Sequence, residues 1–84
     1  MAKNNKIFEA KYNNGIYIFK LFDFLDKAQI SHNKFMRDTS TEYGTLKRYA
    51  IGSIQKVDLA VIDRWCDYLN CDFEDIIEYR PNKK

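Results

Sequence analysis

Cysteine is scarce in this sequence, at two residues, and histidine scarcer, at one. A disulfide framework would need more than Cys66 and Cys71, and nothing resembles a secretory leader. A Cys-x4-Cys pair with His32 as the sole histidine does not have zinc-site spacing. Both thiols are therefore expected to be reduced, in or near the core of a cytoplasmic protein with no metal and no cofactor. Long apolar runs are missing too. None approaches ~18 residues, so no membrane span and no membrane partner are expected. There are no internal repeats and no low-complexity tracts. Ser, His, Asp and Cys all occur, but no pair has the spacing or setting of an activated nucleophile, so an enzyme is not expected.

Aromatic residues are what the chain has in abundance: six Phe, six Tyr and one Trp among 84 residues. They bury large areas and compensate for the small core of a domain this short. Net charge is only +2, but it is unevenly spread. Residues 1–56 carry ten Lys/Arg and five Asp/Glu, a net +5. Residues 57–84 carry four Lys/Arg and seven Asp/Glu, a net −3. A basic first part and an acidic last part suit a chain that meets a polyanion with one face.

Periodicity divides the chain into short helices. Residues 1–15 form a basic, Asn-rich arm. "NNG" there is a turn signal, so "KIFEAKY" either pairs as a strand with "IYIFKLF" or belongs to a loosely ordered arm. From Tyr17 the apolar residues Ile18, Leu21, Phe22 and Leu25 follow helical spacing. Ser31 is a good N-cap for a helix over 32–39, and "TST" at 39–41 breaks it. A third helix is expected over about 42–51, with Leu46 and Tyr49/Ala50 inward and Gly52 ending it. Asp58 caps a fourth over about 59–69, and Asp72 caps a last one in "FEDIIEY". The tail, 81–84, begins at the one proline, Pro81. The fold expected is all-α: five short helices over 16–80, with the arm or a short hairpin in front.

Two of those helices, joined by a tight turn and with the second basic on its outer face, describe a helix-turn-helix. The segments "LFDFLDKAQIS", "KFMRDTS", "TLKRYAIG", "LAVIDRWCDYLNC" and "FEDIIEY" resemble, in order and spacing, the Cro/C1-type (XRE-like) regulators. They are most similar to the small single-domain bacterial and phage members. The resemblance covers about Tyr17 to Tyr79. Three residues depart from the family pattern. Met36 replaces a small residue, Ser40 replaces the turn glycine, and Thr41 replaces an apolar plug. A non-glycine at Ser40 leads one to expect a turn of another shape.

The resemblance implies site residues. Glu42, Tyr43, Gly44 and Lys47 fall where family members read base edges in the major groove. Asn33, Lys34, Thr45, Arg48, Tyr49, Ser53 and Lys56 fall where phosphates are held. Lys3, Lys6 and Lys11 of the arm are further contacts to phosphate or the minor groove. A homodimer on a two-fold site is expected, its interface drawn from the exposed members among Val61, Trp65, Tyr68, Ile77 and Tyr79. The function implied is a repressor that binds duplex DNA sequence-specifically. The rival is a phage or mobile-element protein that uses the same fold to bind a host protein, with a protein antagonist as a related partner.

Overall fold

The computed structural model describes residues 6–82. Lys3 and the last two residues of the tail lie outside that range. Two strands come first, β1 (Phe8–Lys11) and β2 (Gly15–Phe19). Five helices follow: α1 (Leu21–Lys27), α2 (His32–Thr39), α3 (Tyr43–Ile51), α4 (Leu59–Leu69) and the single turn α5 (Phe73–Ile76). A third strand, β3 (Ile77–Pro81), closes the chain. The sheet is antiparallel throughout, in the order β1-β2-β3.

The all-α expectation is thus overturned: the layout is α+β. Tyr17 and Ile18 do not begin a helix but sit mid-strand. The helical spacing of Ile18, Leu21, Phe22 and Leu25 straddles two elements. Ile18 is buried on the sheet, while Leu21 and Leu25 are buried from α1. "GIYIF" is β-branched and aromatic, which suits a pleated, half-buried surface. It is held on both edges, Tyr17 lying between Ala10 and Tyr79, and Phe19 between Phe8 and Ile77. "FEDIIEY" likewise divides. Its first turn is helical, and from Ile77 it continues as a strand that includes Pro81, read above as tail. Of the arm, residues 8–11 are strand, so the hairpin alternative holds there.

The core lies between one face of the sheet and the helices. Phe19, Leu21, Leu25, Phe35, Leu46, Tyr49, Ala50, Ile62, Trp65, Leu69, Ile76 and Ile77 form a single buried cluster. Its centre is aromatic: Trp65 meets Tyr49 edge-on at 5.0 Å and Phe35 at 5.4 Å. Such pairs add to the area term. Gly15 and Gly52 permit close approach to this frame. A Cβ at Gly15 would fall 2.5 Å from the Tyr79 ring, and one at Gly52 would fall 2.7 Å from Phe19.

Four helices end the same way, on a left-handed residue followed by an N–H that reaches back five positions. Ile30 N–H donates to Leu25, Thr41 to Met36, Ser53 to Arg48 and Cys71 to Cys66. With three glycines in the chain, only Gly52 takes such a position. Gln29, Ser40 and Asn70 carry the other three at φ of 60°, 54° and 55°.

Candidate nucleic-acid interface

Helices α2 and α3 and the turn between them follow from local chemistry. Ser31 accepts the Lys34 N–H at 3.0 Å and starts α2. Ser40 closes it in the left-handed region, φ 54° and ψ 46°. The turn therefore keeps its left-handed residue although serine stands in place of glycine, contrary to the expectation of another shape. Glu42 then leads into α3 with its side chain making no cap hydrogen bond.

Thr41 is buried, as a turn plug should be, but it plugs through a hydroxyl. Thr39 Oγ1 donates to the Phe35 carbonyl at 2.6 Å. That leaves Thr41 Oγ1 to donate to Thr39 Oγ1 across 2.7 Å. Trp65 Nε1–H donates to Thr41 Oγ1 at 2.9 Å, and Arg64 Nε to the Thr39 carbonyl at 2.7 Å. The chain of donors runs from α4 through the turn into α2 and leaves no buried side-chain polar atom unpaired among the described residues. A buried polar network is stabilising only when complete in this way. Met36 is half-buried against the core.

The second helix is anchored by Leu46, Tyr49 and Ala50, all buried. Its other face is open. Glu42, Tyr43, Gly44, Lys47 and Arg48 are exposed, Tyr43 by 56 %. Thr45 is half-buried. Asn33 and Lys34 are exposed on the first turn of α2, and Ser53 and Lys56 on the loop after α3. A Cβ at Gly44 would meet only the Arg48 guanidinium, at 3.5 Å. Gly44 is thus bare, and the Arg48 side chain runs back beside it.

Tyr49 does not belong to the phosphate set. It is buried, and its hydroxyl accepts the Asp58 N–H at 2.8 Å at the start of α4. Two of the proposed dimer residues are also corrected. Trp65 and Ile77 are buried inside the cluster and have no surface to offer a partner. Val61 and Tyr68 are half-buried, and Tyr79 is 46 % exposed.

The electrostatics separate two kinds of cation. Lys6 pairs with Asp26, Lys20 and Arg80 with Glu78, Lys27 with Asp23, and Lys34 and Arg37 with Asp38. Among the described residues, Lys47, Arg48 and Lys56 form no ion pair. Asp38 also accepts the Tyr68 hydroxyl at 2.6 Å. That bond and the one from Lys34 hold its carboxyl below the ordinary range. Lys34 is therefore a shared cation, whereas the α3 side is uncompensated. The acidic groups gather on α4 and α5, in Asp58, Asp63, Asp67, Asp72, Glu74 and Asp75.

Sequence reasoning missed Tyr12. It follows β1, is 45 % exposed, and lines a shallow concavity together with Arg48, Gly52, Ser53, Ile54, Gln55 and Lys56. The turn signal "NNG" beside it was the available clue. The half-buried thiols play no part in this face. Burial, with neighbouring Cys66, pushes Cys71 up to about 12.

A short helix turned onto a second one, whose free face is polar and cationic, defines a helix-turn-helix module of the nucleic-acid-binding class. The sequence pattern of the Cro/C1-type HTH DNA-binding domain matches residues 20–82, and the chain belongs to that family. Comparison with curated proteins and with solved structures gave no match. Among the described residues, no helix is long and apolar enough to cross a membrane.

Proposed function

We propose that the chain regulates transcription by binding a duplex operator, with α3 in the major groove, and that it acts as a repressor by occupancy. The observation that carries this reading is the placement of the unpaired cations. Among the described residues, Lys47, Arg48 and Lys56 cluster on α3 and its following loop without an ion pair; of the remaining cations, six are each held by a carboxylate, Arg64 is bonded to the Thr39 carbonyl, and Lys11 stands alone on β1. Cations left without a carboxylate partner are available to phosphate, and binding them to DNA releases counterions.

Lys47 is the candidate donor to guanine O6 or N7, and the uncapped Glu42 carboxylate the candidate acceptor from cytosine N4. Tyr43 projects beside them. Gly44 lets the α3 backbone come close to the groove wall. Asn33, Lys34, Thr45, Arg48, Ser53 and Lys56 position the helix without reading sequence. One such domain makes a small interface, so a homodimer on a two-fold site, with half-sites about one helical turn apart, supplies useful affinity. Tyr79, and in part the half-buried Val61 and Tyr68, are what remain of the proposed dimer residues.

The test is Lys47→Ala and Arg48→Ala in a duplex-binding assay, with circular dichroism to follow the fold. Loss of binding with the fold intact supports this reading. Unchanged binding contradicts it. The rival reading, capture of a host protein, draws on the exposed rings of Tyr12, Tyr17, Phe73 and Tyr79. Substitutions there would then be the damaging ones.

A further inference from the structure

We propose that the tip of the β1–β2 hairpin is part of the DNA-binding face, with the Tyr12 hydroxyl donating to a backbone phosphate that Arg48, Ser53 and Lys56 hold from the other side. This rests on the DNA-binding reading and extends it beyond the helix-turn-helix. The hairpin precedes residue 20, where the family match begins. The footprint it adds thus belongs to this chain's own sheet.

Three observations converge on it. The first is continuity. Arg48 runs beside Gly44 on the open face of α3 and also lines the concavity that Tyr12, Ser53 and Lys56 share. The basic surface therefore does not stop at the end of α3; it reaches the hairpin. Arg48 and Lys56 supply two cations there with no carboxylate partner among the described residues.

The second is that the tip is rigidly placed. Tyr12 N–H donates to the Gly15 carbonyl at 2.8 Å. The Asn14 carbonyl accepts from Asn82 N–H at 3.0 Å and from the Tyr79 hydroxyl at 3.0 Å, and the Asn13 carbonyl from Asn82 Nδ2 at 3.2 Å. The Tyr12 ring meets Tyr17 edge-on at 5.6 Å, and Tyr17 packs on Tyr79 at 4.9 Å. A ring held this way loses little freedom on binding.

The third is the hydroxyl itself. Its partner is the Ile54 carbonyl, at 3.4 Å. That is well beyond the ~2.7–2.8 Å of a well-made O–H···O bond. The donor is oriented toward the loop yet weakly used, and a phosphate oxygen is the stronger acceptor because it is charged. The two described arm lysines do not compete for this place. Lys6 is paired with Asp26, and Lys11 lies opposite Ile16, out of phase with the face that carries Tyr17.

The experiment uses the full chain and its selected duplex, with Tyr12→Phe, Tyr12→Ala and Lys56→Ala. Each backbone phosphate is replaced in turn by a neutral methylphosphonate. Tyr12→Phe keeps the ring and should keep the melting temperature. It is expected to weaken binding about tenfold, the size of one hydrogen bond to a charged group. At one position the methylphosphonate should weaken the wild type more than it weakens Tyr12→Phe, which still loses its Arg48 and Lys56 contacts there but has no hydroxyl contact to lose. The salt slope should fall by about one for Lys56→Ala and stay unchanged for Tyr12→Phe. If Tyr12→Phe binds as the wild type does, the hydroxyl contact is wrong while the DNA-binding reading stands. Loss in Tyr12→Ala alone would then indicate a ring contact instead. If the wild type binds no duplex, both readings fall together.

Discussion

At the scale of single residues, the turn between α2 and α3 shows one chemistry exchanged for another. An apolar plug would stabilise by area alone. Thr41 plugs the same place with a hydroxyl, and the structure completes it with Thr39, Trp65 and the Phe35 carbonyl. Thr41→Val preserves the shape and strands the Trp65 N–H. The expected cost is ~1–3 kcal/mol in urea unfolding. A double variant with Trp65→Phe as well would show coupling between the two sites. Ser40 carries the opposite lesson. Its φ of 54° costs a side chain roughly 1 kcal/mol or more that glycine escapes, so Ser40→Gly should raise stability by up to about 1 kcal/mol. Asp38 supplies a pH test. Its carboxyl is depressed by the Tyr68 and Lys34 hydrogen bonds, so its contribution is present above the unfolded value of about 3.9 and is lost as pH falls through the lower folded value. Asp38→Asn should therefore flatten the loss of melting temperature in that acid range.

Among the elements, the helices were legible, the β1–β2 hairpin was legible as one of two alternatives, and the β2–β3 pairing was not. Ser31 and Asp58 announce their helices through side-chain chemistry close in sequence, and both side chains accept from the N–H groups of the turn they start. The sheet depends on partners far apart: Gly15 faces Pro81 and Ile18 faces Glu78. No local pattern reveals such pairings, and short apolar runs such as "GIYIF" and "IIEY" fit helix and strand alike. The same limit explains the misplaced site residues. Tyr49 was expected at a phosphate from the resemblance, and Trp65 among the candidate dimer residues. Their rings face the core, and their polar groups are consumed by Asp58 and Thr41. Glu42, Gly44, Lys47 and Arg48 were placed on an exposed face because α3 obeys its helical period over Leu46 and Ala50. Gly44→Ala separates stability from function at this element. The site is open, so alanine should raise helix stability by up to ~1 kcal/mol. Duplex affinity should fall, because the added methyl stands where the backbone is to approach DNA.

For the molecule as a whole, the central claim concerns one basic face on a chain of net charge +2. Carboxylates pair with Lys6, Lys20, Lys27, Lys34, Arg37 and Arg80, and among the described residues they leave Lys47, Arg48 and Lys56 of α3 and its loop without an ion pair, as they do Lys11 of β1 and Arg64 of α4. The measurement to make first is fluorescence anisotropy on a random-sequence duplex pool across a range of salt, followed by selection from that pool. The account predicts binding that weakens steeply as salt rises, with enrichment of a palindromic site. Absence of binding even at low salt would contradict it.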